Sequence, residues 1–142
     1  MKADFRTVTT PHEQTDAYQI RRNVFIDEQG VSEADEHDAF DDTATHLIGY
    51  LDEEPFAAAR LRFIEDYAKL ERICVEKAQR GHTYGQQMIH HMEKVIKDKG
   101  YSKAKLNSQT HAEGFYKSLG YRTISEEFMD AGIPHVTMVK DL

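Results

Sequence analysis

The sequence predicts one mixed α/β (α+β) domain in which helices flank a mostly antiparallel sheet. Two apolar segments, residues 46–51 and 56–64, are joined by a short polar turn that ends in proline, which is typical of an antiparallel pair of strands. Further along, a polar loop at residues 77–85 lies between a predicted strand and an amphipathic helix that leads to another strand. Such a strand–loop–helix–strand unit favours a parallel pair within the same sheet. The 142 residues have the length of a single domain, so residues 1–142 are taken as one unit.

The first half of the chain consists of short predicted elements separated by polar residues. Weak alternation predicts a first strand at residues 3–9, broken by Pro11. Apolar residues at helical spacing predict a helix over residues 13–28, which Gly30 ends. An acidic segment with room for a short helix follows, and then three strands, at residues 46–51, 56–64 and 67–75.

The second half begins with the clearest helix of the chain. Its apolar positions recur with the helical period on one face, and Gly100 ends it. These positions are Met88, Ile89, Met92, Val95 and Ile96. The remaining predicted elements are a strand at 102–107, a short helix at 112–119 closed by Gly120, and two strands at 121–124 and 135–139.

The charge of the chain is negative and unevenly distributed. The net charge is −7, and residues 27–42 contain eight acidic residues and no lysine or arginine. Such a surface repels a polyanion, so we expect no nucleic-acid partner. The acidic segment has two interpretations. It is either a solvated face or, if it borders a binding cleft, a surface that attracts a cationic ligand whose binding is weakened by salt.

Composition excludes several further classes. No apolar run is long enough to span a membrane, and the N-terminus has no apolar core of a secretory signal. Cys74 is the only cysteine, so we expect a cytoplasmic protein in which this residue is a small buried apolar group. His90 and His91 are adjacent and diverge on a helix, and His37 has acidic neighbours without the spacing of a calcium loop, so no metal is expected.

The loop before the long helix has the features of a phosphate site. Backbone N–H groups at a helix N-terminus point outward with a partial positive charge. Gly81 and Gly85 allow the backbone to approach a ligand closely, and Arg80 adds planar donors suited to phosphate oxygens. The loop has neither the lysine–hydroxyl ending of a triphosphate-binding loop nor the glycine pattern of a dinucleotide fold. A plain turn with glycines for steric reasons remains the alternative.

Two segments carry a resemblance to a known family. Residues 80–85, Arg-Gly-His-Thr-Tyr-Gly, resemble the acetyl-CoA motif of the GCN5-related N-acetyltransferases (GNAT), with Thr83 in place of the middle glycine. Residues 114–121, Gly-Phe-Tyr-Lys-Ser-Leu-Gly-Tyr, are similar to a second block of that family. The segments that resemble its small bacterial ElaA/YjcF-like branch are residues 22–31, 107–112 and 132–138. The resemblance covers roughly residues 18–142.

The resemblance implies a fold and a reaction. In a GNAT-type fold, a parallel pair of strands splays apart around acetyl-CoA, which is the co-substrate. The implied reaction moves an acetyl group to a primary amine of a small molecule or a peptide, by direct attack in a ternary complex. An ammonium group is not nucleophilic, so a base must remove a proton, and a nearby acid favours departure of the thiolate. Family members are often homodimers. The alternative is a non-catalytic module that binds acyl-CoA for regulation, since fold alone does not establish an activity.

The same resemblance assigns roles to residues of this chain. Tyr116 matches the family acid near the CoA sulfur, and Glu71 is the expected base, with a salt bridge to Arg72 or a strand neighbour as the alternative. Glu28 and His111 are rival bases or substrate contacts, and His135 is expected to line the acceptor pocket. The expected acetyl-CoA contacts are Ile73, Cys74, Val75, Arg80, Gly81, His82, Thr83, Tyr84, Gly85, Gln86, Asn107, Phe115 and Tyr116.

Overall fold

The computed structural model describes residues 2–142. The helices are α1 (Pro11–Arg21), a π-helical segment (Arg22–Glu28), α2 (Glu33–Glu36), α3 (Tyr84–Asp98) and α4 (Glu113–Ser118), with 3-10 turns at Ala39–Asp42, Lys77–Gln79 and Thr110–Ala112. The strands are β1 (Ala3–Thr7), β2 (Thr45–Leu51), β3 (Glu54–Ile64), β4 (Tyr67–Val75), β5 (Lys103–Gln109), β6 (Arg122–Thr123), β7 (Phe128–Asp130) and β8 (Ile133–Asp141).

A single eight-stranded sheet forms the centre of the fold. Its order is β1-β2-β3-β4-β5-β8-β6, and β7 pairs with β8. The pair β4–β5 is parallel and the other pairs are antiparallel. Helix α3 provides the crossover that a parallel pair requires. The predicted class, a mixed and mostly antiparallel sheet flanked by helices, is confirmed.

Each face of the sheet carries its own core. On one face, α3 buries the side chains predicted from its period, with Met88, Ile89, Met92 and Ile96 fully enclosed against the sheet. On the other face, Ala17 and Ile20 of α1 pack with Ile48, Ala58 and Cys74. The sheet is therefore the middle of three layers, and residues that alternate along a central strand point into opposite cores.

The parallel pair is short, and this opens a gap in the sheet. Strands β4 and β5 are in register only from Ala68 to Leu70 and from Ala104 to Leu106. Just beyond, β4 is bulged: its register with β3 shifts between Ala58 and Arg60, and Arg72 has a left-handed φ of 56°. A bulge bends a strand and increases its twist, so β4 turns away from β5 at this point.

The N-terminal prediction needs one correction. Pro11 does not simply interrupt a strand; it is the first residue of α1, which begins two residues earlier than predicted. The Thr10 hydroxyl oxygen accepts from the Glu13 N–H, and the Glu13 carboxylate accepts from the Thr10 N–H. Together these two hydrogen bonds form a capping box. The predicted helix also changes character, because its second half, Arg22–Glu28, is π-helical.

A short strand near the C-terminus was missed. Strand β7 precedes β8 and joins it through a two-residue turn in which Ala131 and Gly132 have φ of 51° and 76°. Two left-handed residues in a two-residue loop are the hairpin turn that matches strand twist. Strand β7 has only three residues and is largely exposed, so it carries little apolar pattern. The glycine at 132 was the available signal.

Candidate active site

A cleft of about 490 Å³ lies where β4 and β5 diverge. The ends of these strands, the π-helical segment, α2 and the β7–β8 hairpin form its walls. Six residues singled out from the sequence line it: Glu71, Ile73, Asn107, His111, Tyr116 and His135. The others, namely Glu28, Cys74, Val75, Phe115 and residues 80–86, lie outside its walls. A separate open depression of about 560 Å³, bordered by Thr7, His46 and Lys99, contains none of the predicted residues.

The divergence of the strands exposes main-chain groups to the cleft. Past Leu70 and Leu106 the two strands have no register partners in each other. An extended ligand with amide groups can pair with such an edge as an added strand does. Ile73 lies on this part of β4 and faces the cleft, as expected for a strand that would bind the pantetheine arm.

The loop before α3 presents a run of free donors. The backbone N–H groups of residues 81–86 have no hydrogen-bond partner within residues 2–142. Thr83 does not cap the helix with its side chain; its hydroxyl accepts from Gln87 Nε2 at 3.0 Å. Gly81 has a φ of 88°, which only glycine adopts easily, and an added Cβ at Gly85 would meet only the Phe115 ring, at 3.7 Å. These features fit a pyrophosphate at a helix N-terminus.

Thr83 does not distort this loop. Its φ of −89° lies in the ordinary range for a residue with a side chain. The position that requires glycine here is Gly81, where the chain turns with positive φ.

Arg80 and Glu28 form a pair beside the loop. Nη1 and Nη2 of Arg80 donate to the two Glu28 carboxylate oxygens at 2.6 and 2.7 Å, and Nε donates to the Val75 carbonyl at 2.9 Å. The Arg80 guanidinium lowers the pKa of Glu28. The structure therefore brings two predicted site residues together, but as an ion pair that connects the π-helical segment to the loop.

The Tyr116 hydroxyl is free and faces the cleft. Its ring packs edge-on against Phe115 and Tyr121, with ring centroids 5.2 and 5.9 Å away. The hydroxyl has no hydrogen-bond partner within residues 2–142, and burial raises the pKa of Tyr116 to about 12. Tyr116 is therefore a neutral hydroxyl with a proton to donate across the biological pH range.

Glu71 is surrounded by cations. Its carboxylate lies 2.8 Å from both Arg60 and Arg62 and 3.2 Å from Lys69. Hydrogen bonds from Arg62 and the charges of Arg60 and Lys69 outweigh burial and lower the pKa of Glu71 to about 2. A carboxylate with this pKa binds a proton weakly, so these contacts favour the salt-bridge alternative over the base role.

The acidic segment borders the cleft but is largely neutralised. Glu36 and Asp41 bind the fully buried Arg21, and Asp41 and Asp38 bind the buried Arg60. Of its eight carboxylates, only those of Asp27, Asp35 and Asp42 have no cation within 4 Å in residues 2–142, where all eight lie. The expectation of a solvated acidic face is therefore wrong for the inner half of the segment, where buried arginines hold it against the sheet.

Two histidines line the cleft with defined ring contacts. His135 is buried, stacks on Phe128, and its Nδ1 donates to the Ile133 carbonyl at 2.7 Å, so Nε2 keeps its lone pair. His111 is exposed, and its Nε2 donates to Gln109 Oε1 at 2.6 Å, which leaves the lone pair on Nδ1. Each ring therefore presents one nitrogen that can accept a proton.

Two further predicted residues have clear environments. The Asn107 Oδ1 accepts from the Thr137 hydroxyl at 2.8 Å, so the amide N–H₂ of Asn107 remains available to the cleft. Cys74 is buried in the α1-side core, where burial raises the pKa of its thiol to about 12. Its side chain therefore points away from the cleft, and only its backbone can contribute to a ligand there.

The sequence analysis missed three cations of the cleft, Arg60, Arg62 and Lys69, and the spacing along the strands could have found the last two. Arg62 is two residues from Arg60 on β3, and Lys69 is two residues from Glu71 on β4. Because alternate residues of a strand share a face, this spacing was a usable signal once the strands were assigned.

Comparison with known families decides the assignment of this fold. The sequence profile described as an acetyltransferase (GNAT) domain matches residues 9–142. The chain belongs to the GNAT family. The N-acetyltransferase YjcF of Bacillus subtilis, itself uncharacterised, is 45% identical over 127 residues, which cover 89% of this chain and 91% of YjcF.

Known GNAT structures have the same architecture. A crystal structure of a Lactobacillus plantarum protein superposes with a TM-score of 0.93 at 28% identity, covering 100% of this chain and 99% of that one. Escherichia coli ElaA superposes with a TM-score of 0.88 at 24% identity, covering 98% and 99%. The resemblance to the ElaA/YjcF-like branch is thereby confirmed. A more distant GNAT acetyltransferase from Elizabethkingia anophelis, with acetyl-CoA bound, has a TM-score of 0.74 at 14% identity, covering 99% and 98%.

Residues 2–142 contain neither a membrane-spanning helix nor a cluster of metal-ligating side chains. No helix there has both the length and the apolar character needed to cross a membrane. The same residues contain no cluster of three or more histidine, cysteine or acidic side chains arranged to hold a metal ion.

Proposed function

We propose that this GNAT protein transfers an acetyl group from acetyl-CoA to a primary amine of a small molecule or peptide. The observation that carries the proposal is the neutral Tyr116 hydroxyl, unpartnered and facing a cleft where β4 and β5 diverge. A module that only binds acyl-CoA needs the loop but has no use for a free proton donor at this place.

The residues that would hold acetyl-CoA lie on the loop before α3 and on the diverging ends of β4 and β5. The free N–H groups of residues 81–86 suit the pyrophosphate, and the unpaired edge of β4 near Ile73 suits the amides of the pantetheine arm. The Asn107 amide offers a donor on the opposite strand. Acetyl-CoA supplies an activated thioester when bound. The acetyl-CoA-bound Elizabethkingia relative supports the choice of this ligand.

Tyr116 is proposed as the acid. Its hydroxyl holds a proton at all pH values below about 12, so it can protonate a leaving thiolate. The apolar rings of Phe115 and Tyr121 fix the position of the Tyr116 ring and thereby the direction of its hydroxyl.

Removal of the acceptor proton is assigned to His111 rather than to Glu71. The free Nδ1 of His111 is an acceptor at the cleft wall, whereas Glu71 is held by three cations at a pKa of about 2. Glu28 is outside the cleft wall and bound to Arg80. His135, buried with its Nδ1 bonded to a carbonyl, is proposed to line the acceptor pocket.

The first experiment separates binding from turnover. Calorimetry measures acetyl-CoA binding, and release of free CoA thiol is then followed across a panel of amines. We expect binding together with amine-dependent thiol release. Binding without turnover on any amine would favour the regulatory module instead.

A loop variant and its matched control test the proposed pyrophosphate site. Gly85→Leu fills the space beside the first turn of α3, where only the Phe115 ring lies within 4 Å, and should abolish acetyl-CoA binding. His90→Leu adds the same side chain on an exposed position of the same helix and should bind normally. Equal binding by both variants would place the pyrophosphate elsewhere.

A further inference from the structure

The cleft wall near Glu71 gathers cations around a single carboxylate. A connected network joins five cations, namely Arg21, Arg60, Arg62, Lys69 and Arg72, to four carboxylates, Glu36, Asp38, Asp41 and Glu71. Asp35, which lines the same wall, brings the number of carboxylates level with that of the cations, but the cations are unevenly shared among them. The acidic character of residues 27–42 is thus offset at this wall by cations from α1, β3 and β4.

The cations of the network with the fewest carboxylate partners are Arg62 and Lys69. The third cation on Glu71, Arg60, also binds Asp38 and Asp41 at 2.7 and 2.9 Å. Arg62 and Lys69 have Glu71 as their common and single carboxylate within residues 2–142. Both side chains line the cleft and are partly open to solvent, with 17% and 22% exposed.

Arg62 is held with donors to spare. Its Nε and Nη2 donate to the two Glu71 oxygens at 2.8 and 3.1 Å, while its Nη1 has no partner within residues 2–142. Its guanidinium carbon lies 3.8 Å from the centre of the Phe40 ring, which restricts the plane of the group. A fixed guanidinium with a free edge, next to an ammonium, is a site for a carboxylate.

The other side of the same cleft has the opposite character. Asp130, on the β7–β8 hairpin, lines the cleft and has no cation within 4 Å in the described chain. His111 and His135 lie on that side, each with a free ring nitrogen. The cleft therefore offers one wall to an anion and the other to an amine.

We propose that the acceptor is an amino-carboxylic acid, a free amino acid or a short peptide, and that Arg62 and Lys69 bind its carboxylate. This substrate class rests on the proposed N-acetyltransferase function. A polyamine or an amino sugar, which the acidic segment favoured at the level of sequence, has no group for this wall.

Matched acceptors test the proposal. The panel contains L-tyrosine and glycyl-L-tyrosine, each beside its carboxamide, together with tyramine. The amine of L-tyrosine is a stronger base than that of its carboxamide and a weaker base than tyramine. A higher kcat/KM for the acid than for both of the others therefore cannot result from amine basicity alone. From the release of CoA thiol, we expect kcat/KM for the acid to be about tenfold or more higher than for its carboxamide and for tyramine. This is the scale of one charge-assisted hydrogen bond. The dipeptide distinguishes a peptide acceptor from a free amino acid.

Three variants locate the carboxylate site. Arg62→Gln and Lys69→Gln should each raise KM for the preferred acid about tenfold, while KM for the carboxamides and for tyramine stays unchanged. Lys105→Gln is the control, because Lys105 is in register with Lys69 on β5 but stacks on Tyr67 outside the cleft. Lys69 is partly exposed, so its variant should fold even if loss of Arg62 disturbs the network.

The outcomes are distinguishable. An equal or higher kcat/KM for the carboxamides or tyramine, or turnover of other amines but of no amino-carboxylic acid, would overturn the acceptor class alone. No binding of acetyl-CoA would overturn the proposed function beneath it. A preference for acids that survives both variants would assign the carboxylate to another part of the cleft and contradict the roles of Arg62 and Lys69.

Discussion

Tyr116 illustrates how one side chain obtains a chemical role from its surroundings. A tyrosine hydroxyl in water loses its proton near pH 10. Here the ring is enclosed by Phe115 and Tyr121, no cation offsets the burial, and the pKa rises to about 12. The pKa of nearby Tyr121 is also raised, but its hydroxyl donates to the Glu93 carboxylate at 2.8 Å and is not free. The two tyrosines differ in availability, which only their neighbours decide.

Removal of the Tyr116 hydroxyl should slow turnover without affecting binding. We expect Tyr116→Phe to lower kcat by about a hundredfold, the lower range for loss of a general acid, with the acetyl-CoA Kd unchanged in calorimetry. Because the pKa is about 12, wild-type activity should show no loss from ionisation of this group up to roughly pH 11. Tyr101→Phe, at a tyrosine outside the cleft, is the control. An unchanged kcat in Tyr116→Phe would remove the acid role.

At the scale of elements, the loop before α3 is anchored by a contact with a residue 52 positions earlier in the chain. Arg80 joins the loop to Glu28 on the π-helical segment and to Val75 on β4. The loop, the strand and the segment are thereby fixed together at the place where the free N–H groups begin. The sequence predicted the loop from its glycines and its position, and assigned Arg80 to phosphate, because a partner 52 residues away leaves no local pattern.

Loss of either member of this pair should weaken acetyl-CoA binding to a similar extent. If the pair positions the loop, Arg80→Gln and Glu28→Gln should each raise the acetyl-CoA Kd about three- to fivefold, the scale of a partly exposed bidentate ion pair. The double variant should bind acetyl-CoA no more weakly than either single variant, because both substitutions remove the same ion pair. Lys94→Gln, which breaks the exposed Lys94–Asp98 pair on α3, is the control. Tighter binding by Glu28→Gln would mean instead that Glu28 competes with phosphate for Arg80.

At the scale of the whole molecule, buried ion pairs join the acidic segment to the sheet. Arg21 from α1 and Arg60 from β3 are almost completely enclosed, and both bind Asp41. Their hydrogen bonds and charges lower the pKa of Asp41 to about 2 despite its burial. Breaking such a pair leaves an uncompensated buried charge, which is strongly destabilising. The segment thus depends on ionised carboxylates for its position.

This network should make stability depend on acid pH. Asp41 and Glu71 have folded pKa values of about 2, below their unfolded values, so the unfolded chain binds more protons as pH falls. Their contribution to the free energy of unfolding is complete above roughly pH 5. It is lost between about pH 4.5 and 2, by about 2 kcal/mol for Asp41 and about 3 kcal/mol for Glu71. Denaturant midpoints measured from pH 7 to 3 test this. Asp41→Asn should lower stability at pH 7 and flatten the curve, whereas Asp141→Asn, at an exposed site, should change neither. A flat wild-type curve below pH 4.5 would contradict the role of the network.

The sequence by itself determined the family, the helical face of α3, the order of most elements and the position of the loop before α3. These features depend on neighbours along the chain: periods, caps, glycines and turns. Tertiary structure decided the chemistry of the cleft. Residues 27–42 are acidic in isolation, but Asp38 meets Arg60 22 residues later and Glu36 meets Arg72 36 residues later. Because charge is summed over space rather than along the chain, the fold turns an acidic segment into one side of a cleft wall that also carries cations from β3 and β4.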